Sequence, residues 1–210
     1  MNIGIIGSGD MGTGLGHIWL KKGHSVMYSF SHSAEKLKGL AASHPNALSG
    51  TPRQAVEHGD IVLLSVEWQA VHAALTAAGP IRDKVVVDCT NPLNPGASDL
   101  QAGLTTSGGE EIAKLLPEAW VVKAFNTAYA QLYHSDSRLF GSRMPTMLYC
   151  GDDPAAKKKV SDLITQTGFE PVDAGPLKCA RYLEPLAMLM IRLGMAQGMG
   201  TDIIMSLMRR

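Results

Sequence analysis

An apolar run that breaks into a glycine turn opens the chain, and it constrains the possible fold more than any other feature. Ile3, Ile5 and Ile6 are followed at once by Gly7-Ser8-Gly9-Asp10-Met11-Gly12. Met11, Leu15, Ile18 and Trp19 then recur at i, i+4, i+7 and i+8, which marks one face of a helix. A glycine pattern alone would carry little in a chain with 22 glycines, but here a strand precedes it and a helix follows. In that setting Gly7 permits a tight turn, Gly9 admits a ligand close to the backbone, and Gly12 lets the helix pack on the strand. Lys21, Lys22 and Gly23 close the helix with cations in its last turn and a left-handed cap.

The unpaired N–H groups and positive dipole end at such a helix start attract phosphate. Gly7, Ser8, Gly9, Asp10, Met11 and Gly12 are therefore expected to cradle the pyrophosphate of a dinucleotide. The second strand spans residues 25–30, and an NAD site would place Asp or Glu at its end for the ribose hydroxyls. No acidic residue occurs between Asp10 and Glu35. Ser31, His32, Ser33 and Lys36 stand there instead, and they offer hydroxyls, an imidazole and an ammonium to a 2′-phosphate. Each retained charge-assisted hydrogen bond contributes about 1.5 to 3 kcal/mol, a tenfold to hundredfold preference for NADP. Ser33 is at the same time the expected N-cap of the next helix.

Near-continuous Val/Ile/Leu runs continue at residues 61–66, 85–88 and 121–125, and they alternate with helical stretches at 34–43, 52–58 and 69–78. The alternation predicts a doubly wound, mainly parallel α/β sheet of the Rossmann type, covered on both faces. Further elements are a strand at 146–150, a helix at 155–167, a strand at 169–172, and a helical segment from Leu177 to the terminus interrupted around 194–200. Residues 1–140 are read as the NADP-binding domain. Residues 141–210 are read as a small C-terminal strand–helix region that completes an acceptor site and forms a dimer interface. Ligands of such sheets lie beyond the carboxyl ends of the strands. That rule directs attention to Ser65, Val66 and Trp68, to Thr90 and Asn91, and to Asn126 and Thr127. The Gly-, Ser-, Thr- and Pro-rich segment 93–109 is expected to be a loop that covers the ring, with backbone of 103–109 contacting a second ring.

Equal counts of 19 basic and 19 acidic residues give no footprint for nucleic acid or an anionic membrane. The Met- and Leu-rich stretch after Pro185 meets Arg192 well short of the ~18 to 20 apolar residues of a spanning helix. Cys89, Cys150 and Cys179 form no C-x-x-C motif and read as buried thiols of a reducing cytoplasm. The first strand begins at once, which leaves no room for a signal peptide within this sequence. The seven histidines show no metal-ligand spacing, so no metal site is expected.

On these motifs the chain resembles the NADPH-dependent deazaflavin reductases, the family of coenzyme F-420:NADP oxidoreductase, and the cytosolic NADPH-binding domain of flavin-linked metalloreductases. The likeness rests on residues 7–12, Ser31-His32-Ser33 with Glu35-Lys36, Val66-Glu67-Trp68, Thr90-Asn91-Pro92, residues 121–127, Cys150-Gly151-Asp152-Asp153, residues 173–177, and Leu183-Glu184-Pro185-Leu186. It implies that Ser8, Ser31 and His32 receive the 2′-phosphate, that Val66 and Trp68 flank the adenosine-side ribose and pyrophosphate, and that Asn126 and Thr127 lie near the nicotinamide. Glu67 replaces the family's usual proline, and Asn126-Thr127-Ala128-Tyr129 departs from the histidine-containing archaeal sequence.

The implied reaction passes a hydride between NADPH and a deazaflavin (coenzyme F-420) or flavin (FMN or FAD). Such a reaction needs stacked rings rather than an acid or base. No catalytic acid, base or nucleophile is expected, and Thr90, Asn91, Asn126 and Thr127 are expected to position the carboxamide and ribose, with Tyr129 and His134 as wall residues. The alternatives are an NADP-dependent reductase of an imine or hydroxyacid substrate, in which Lys178 is the only lysine beyond Lys159, and an NADP(H)-binding redox sensor without turnover. A soluble, cytoplasmic homodimer is the expected form, because the Met-rich terminal segment needs cover.

Overall fold

The computed structural model describes residues 1–135, 137–208 and 210. The chain runs β1 (Asn2–Ile6), α1 (Asp10–Lys21), β2 (Ser25–Ser29), α2 (Ala34–Ala42), β3 (Ala47–Ser49), α3 (Pro52–His58), β4 (Ile61–Leu64), α4 (Val71–Ala78) and β5 (Val85–Asp88). It continues through α5 (Gly108–Leu115), β6 (Trp120–Lys123), α6 (Gln131–His134), β7 (Thr146–Gly151), α7 (Pro154–Gln166), β8 (Glu170–Asp173) and α8 (Ala180–Ile191).

Among the described residues one sheet of eight strands holds these elements together in the order β3-β2-β1-β4-β5-β6-β7-β8. Every pairing is parallel except β6 with β7. The strand order reverses between β1 and β4, whose register pairs Ile3 with Ile61 and Ile6 with Leu64. This is the Rossmann arrangement, and its switch point puts a crevice beyond Ile6 and Leu64. Strands β4 and β5 are buried along their whole length, as continuous apolar runs demand. On the α1 side Trp19, Phe125, Tyr133 and Phe169 form an aromatic cluster with centroids 5.7 to 6.0 Å apart. Burying rings of this size contributes roughly 1.5 to 3 kcal/mol each and fixes α1 and α6 against the sheet.

Four segments differ from the expectation. Residues 108–109 belong to α5 rather than to a loop, because Ser107 caps that helix through the Glu110 N–H at 3.1 Å and returns its own proton to Glu110 Oε2 at 2.8 Å. The short strand β3 and the single turn α6 had no sequence expectation. The C-terminal helix stops well before the terminus: after α8 a wide turn spans Arg192–Ala196. Gly198 and Gly200 then adopt φ of 72° and 78°, a conformation that ends the helix. The chain returns without helical structure to β7, where Leu207 N–H donates to Thr146 Oγ1 at 3.1 Å. Arg209 lies outside the described residues. Among the described residues no helix is long and apolar enough to cross a membrane.

Candidate active site

Close packing at the first turn explains two of its three glycines. Gly7 has φ 109°, and a Cβ there would lie 2.4 Å from Ser65 O; a Cβ on Gly12 would lie 2.1 Å from Gly7 O. Ser65 Oγ donates to Gly7 O at 2.7 Å and so ties the turn to the end of β4. Gly9 is different, because a Cβ there would meet none of the described residues within 4 Å. Among the described residues no side chain caps α1, and Gly9, Asp10 and Met11 line a cleft of about 650 Å³. Open space before an uncapped helix start suits a phosphate. The Asp10 carboxylate would repel that charge, which leaves only the residue's backbone suited to it.

Ser65, Val66, Trp68, Thr90 and Asn91 line the same cleft. Its far rim is the segment 93–97, held by Gln69 Nε2 donating to Leu93 O at 2.7 Å. Asn91 and Met11 also border an adjoining chamber of about 240 Å³, lined by Asn126, Thr127 and Tyr129 and closed by Ala187, Met190 and Ile191 of α8. Sequence reasoning passed over this α8 wall, whose apolar residues look like ordinary core. Tyr129 donates to Met190 O at 2.9 Å and stands where a wall residue was expected. His134 does not: it is exposed, with Nε2 2.8 Å from Asp10 O, outside the chamber's lining. The expected contact of 103–109 with a second ring also fails for Gly108 and Gly109, because both are buried and their N–H groups are committed to Glu184 at 2.8 and 3.0 Å.

The end of β2 turns sharply at Phe30, a non-glycine residue with φ 53°. Ser31 Oγ accepts from Ser33 N–H at 3.2 Å, and Ser33 Oγ accepts from Lys36 N–H at 3.1 Å. Each hydroxyl thus keeps its proton for an anion. His32, Ser33 and Lys36 are exposed on this turn, outside the cleft's lining. Ser8 differs: it is buried, and its hydroxyl donates inward to Ser29 O at 2.9 Å.

Asn91 and Asn126 clasp each other across the ends of β5 and β6. Asn91 Nδ2 donates to Asn126 O at 3.0 Å, while Asn126 Nδ2 donates to Asn91 Oδ1 at 3.0 Å and to Leu183 O at 3.1 Å. These partners fix both amide orientations. The strained φ of 64° at Phe125 makes the preceding turn. Among the described residues, buried Asn126 Oδ1 has no hydrogen-bond partner. Leaving such an acceptor empty costs about 1 to 3 kcal/mol. Thr90 is engaged inward, donating from both N–H and Oγ1 to Asp88 Oδ1 at 2.8 Å. Thr127 is buried against Met147.

Burial, reinforced by the Asp88 carboxylate, pushes the Cys89 thiol far up, and burial pushes Cys150 up to about 12. Cys179 is half-buried. A thiol reagent at pH 8 is expected to label Cys179 first and leave Cys89 and Cys150 intact in the native protein, as read by mass spectrometry. Rapid labelling of Cys89 would show that the cleft floor is open to solvent.

Residues 2–92 match the family described as NADP oxidoreductase, coenzyme F420-dependent. The F420-dependent NADP reductase of Methanocaldococcus jannaschii is 29% identical over 222 residues, covering 97% of each chain. Metalloreductase STEAP3 of Rattus norvegicus is 29% identical over 189 residues, and the match takes in 90% of this chain and 37% of that protein. A crystal structure from Arthrobacter sp. FB24, assigned as an F420-dependent NADP reductase, superposes over the full length of both chains with a TM-score of 0.89 at 29% identity. An imine reductase of Aspergillus terreus, with a TM-score of 0.67 and 20% identity over 63% of its length, shares the fold alone. The resemblance read from the motifs therefore holds at the level of both sequence and fold.

Proposed function

We propose that this NADP-dependent oxidoreductase, whose residues 2–92 match the coenzyme F420-dependent family, passes a hydride between NADPH and a deazaflavin of the coenzyme F-420 type. When bound, the nicotinamide and deazaflavin supply the redox chemistry, in which NADPH, a proton and the oxidised deazaflavin give NADP and the reduced deazaflavin. The protein's part is to bind, orient and exclude water. The uncapped start of α1 holds the pyrophosphate and the hydroxyls of Ser31 and Ser33, with Lys36, hold the 2′-phosphate. Asn126 Oδ1 accepts from the carboxamide, and the apolar wall of Ala187, Met190 and Ile191 receives the second ring.

The observation that carries this reading is a two-chambered cleft at the switch point, with a small apolar chamber beside an unpartnered amide oxygen. An imine reductase reading has less support, because Lys178 is exposed and lies outside both chambers' linings. Stopped-flow mixing with NADPH and coenzyme F-420, FMN, ferric iron or a cyclic imine separates the readings. Multiple turnovers with F-420 support ours, turnover with the imine alone overturns it, and no turnover with any acceptor favours a sensor.

Met195, Met199, Met205, Leu207 and Met208 are at least half exposed, an apolar surface that supports the homodimer expected from the sequence. Sedimentation at micromolar concentration tests that form, and a monomer would remove it.

A further inference from the structure

Three charged side chains lie fully buried at the back of the cleft, and none of them is accounted for by cofactor binding. Asp88 and Lys123 are register partners at the ends of β5 and β6. Lys123 Nζ lies 2.6 Å from Asp88 Oδ2, 2.8 Å from Glu184 Oε1 of α8, and 2.8 Å from Thr90 O. Thr90 O accepts a hydrogen bond from the ammonium, and both carboxylates face its charge at ion-pair distance. The second carboxylate is balanced by the N–H groups of Gly108 and Gly109 at the start of α5. Burial opposes the charge on Lys123, but the Asp88 and Glu184 carboxylates outweigh it and raise its pKa. Buried ionic clusters add little stability over apolar packing of the same volume, so what this one gains is fixed geometry.

That geometry leads to both walls of the smaller chamber. On one side the cluster holds the backbone and hydroxyl of Thr90, and so places Asn91. On the other it holds Glu184, whose neighbour Leu183 accepts from Asn126 and whose helix presents Ala187, Met190 and Ile191 to the chamber. We propose that Asp88, Lys123 and Glu184 form a latch that sets the gap between the Asn91–Asn126 wall and the α8 wall, and that they are positioning residues for hydride transfer. The inference rests on the function proposed above. Latch and cleft are joined by hydrogen bonds rather than by exposure, so the latch acts without touching either ring.

The decisive variant is Glu184→Gln in the full chain, which keeps the volume and removes the charge. The expected result is an NADPH dissociation constant within about threefold of wild type. Single-turnover reduction of coenzyme F-420 is expected to slow by about 100-fold, the scale of an ångström-sized misplacement, with the isotope effect from 4-deuterated NADPH fully expressed. Amide exchange in residues 186–191 is expected to quicken, while β1 and β4 stay unchanged. A folded variant with wild-type transfer overturns the proposal, as does a parallel loss of NADPH affinity and transfer rate. If wild-type protein does not reduce F-420, the functional reading falls on its own, and the exchange measurement still decides the latch: unchanged protection in 186–191 overturns it. Should Glu184→Gln fail to fold, Asp88→Asn, which keeps an acceptor for Thr90, is read in the same assays. Failure of both to fold assigns the cluster to folding alone and overturns the positioning role.

The outer face of the same helix pair carries a pH-dependent tie. Arg181 donates to both oxygens of Glu110 at 2.8 Å, and this pairing holds the Glu110 carboxyl below the ordinary range. A lowered folded-state pKa gives stability that is complete above the unfolded value of about 4.3 and is lost as pH falls through the folded one. Thermal melts of wild type and Glu110→Gln are expected to differ at pH 6 and converge towards pH 3; a constant gap would refute the tie.

Discussion

Gly12→Ala is expected to weaken NADP binding by more than about 100-fold and to lower the melting temperature with it. The added methyl would stand 2.1 Å from Gly7 O and 2.7 Å from Ser65 Oγ, the two atoms whose hydrogen bond ties the glycine turn to β4. The Ser65 hydroxyl can rotate away, but Gly7 O is backbone and cannot, so relief requires α1 to lift from the sheet and carry its first turn away from the cleft. Overpacking of this kind costs about 1 to 3 kcal/mol, and the broken hydrogen bond adds about 1. A hundredfold loss corresponds to about 2.7 kcal/mol. Gly9→Ala is the informative counterpart. A methyl there meets none of the described residues within 4 Å, so the melting temperature is expected to hold while the ligand's own space is filled. Calorimetry and melting curves on both variants separate the roles, and wild-type NADP affinity in Gly12→Ala would show that the turn is not the cradle.

Ser31→Asp is expected to reverse the cofactor preference. Aspartate can still accept from Ser33 N–H, as Ser31 Oγ does at 3.2 Å, so the turn survives. Its charge replaces a hydroxyl donor where the 2′-phosphate is expected, and Lys36 remains as the only cation of that turn. Losing one charge-assisted bond removes about 1.5 to 3 kcal/mol, and like-charge repulsion adds to it. NADPH affinity is expected to fall at least tenfold to a hundredfold, while NADH, whose ribose hydroxyls aspartate can accept from, binds more tightly. Titration of both reduced nucleotides by fluorescence measures this. Unchanged NADPH affinity would remove the 2′-phosphate from Ser31.

Much of the frame could be read from the residues because local pattern and global fold agree there. Ile3 to Gly12 specify strand, turn and helix within one short window, and the β4 and β5 runs are too apolar to lie anywhere but inside a covered sheet. The latch was not legible, although its signal is visible in hindsight: Lys123 and Asp88 are charges closing two otherwise apolar strands. Pairing them requires the β5–β6 register, and adding Glu184 requires knowing that α8 returns to the sheet, neither of which is local information. Helix α5 was missed for a simpler reason. Its two leading glycines read as loop, and the Ser107-x-x-Glu110 capping pair that overrides them went unused. The C-terminal helix was over-extended because Leu and Met periodicity continues past Ile191, while the positive φ at Gly198 and Gly200 is what turns the backbone.

Calorimetric titration of the purified chain with NADP and NAD in parallel tests the central claim most directly. The account predicts one NADP per chain, bound at least about tenfold more tightly than NAD, from one retained 2′-phosphate contact. Binding of neither nucleotide, or equal binding of both, would contradict it.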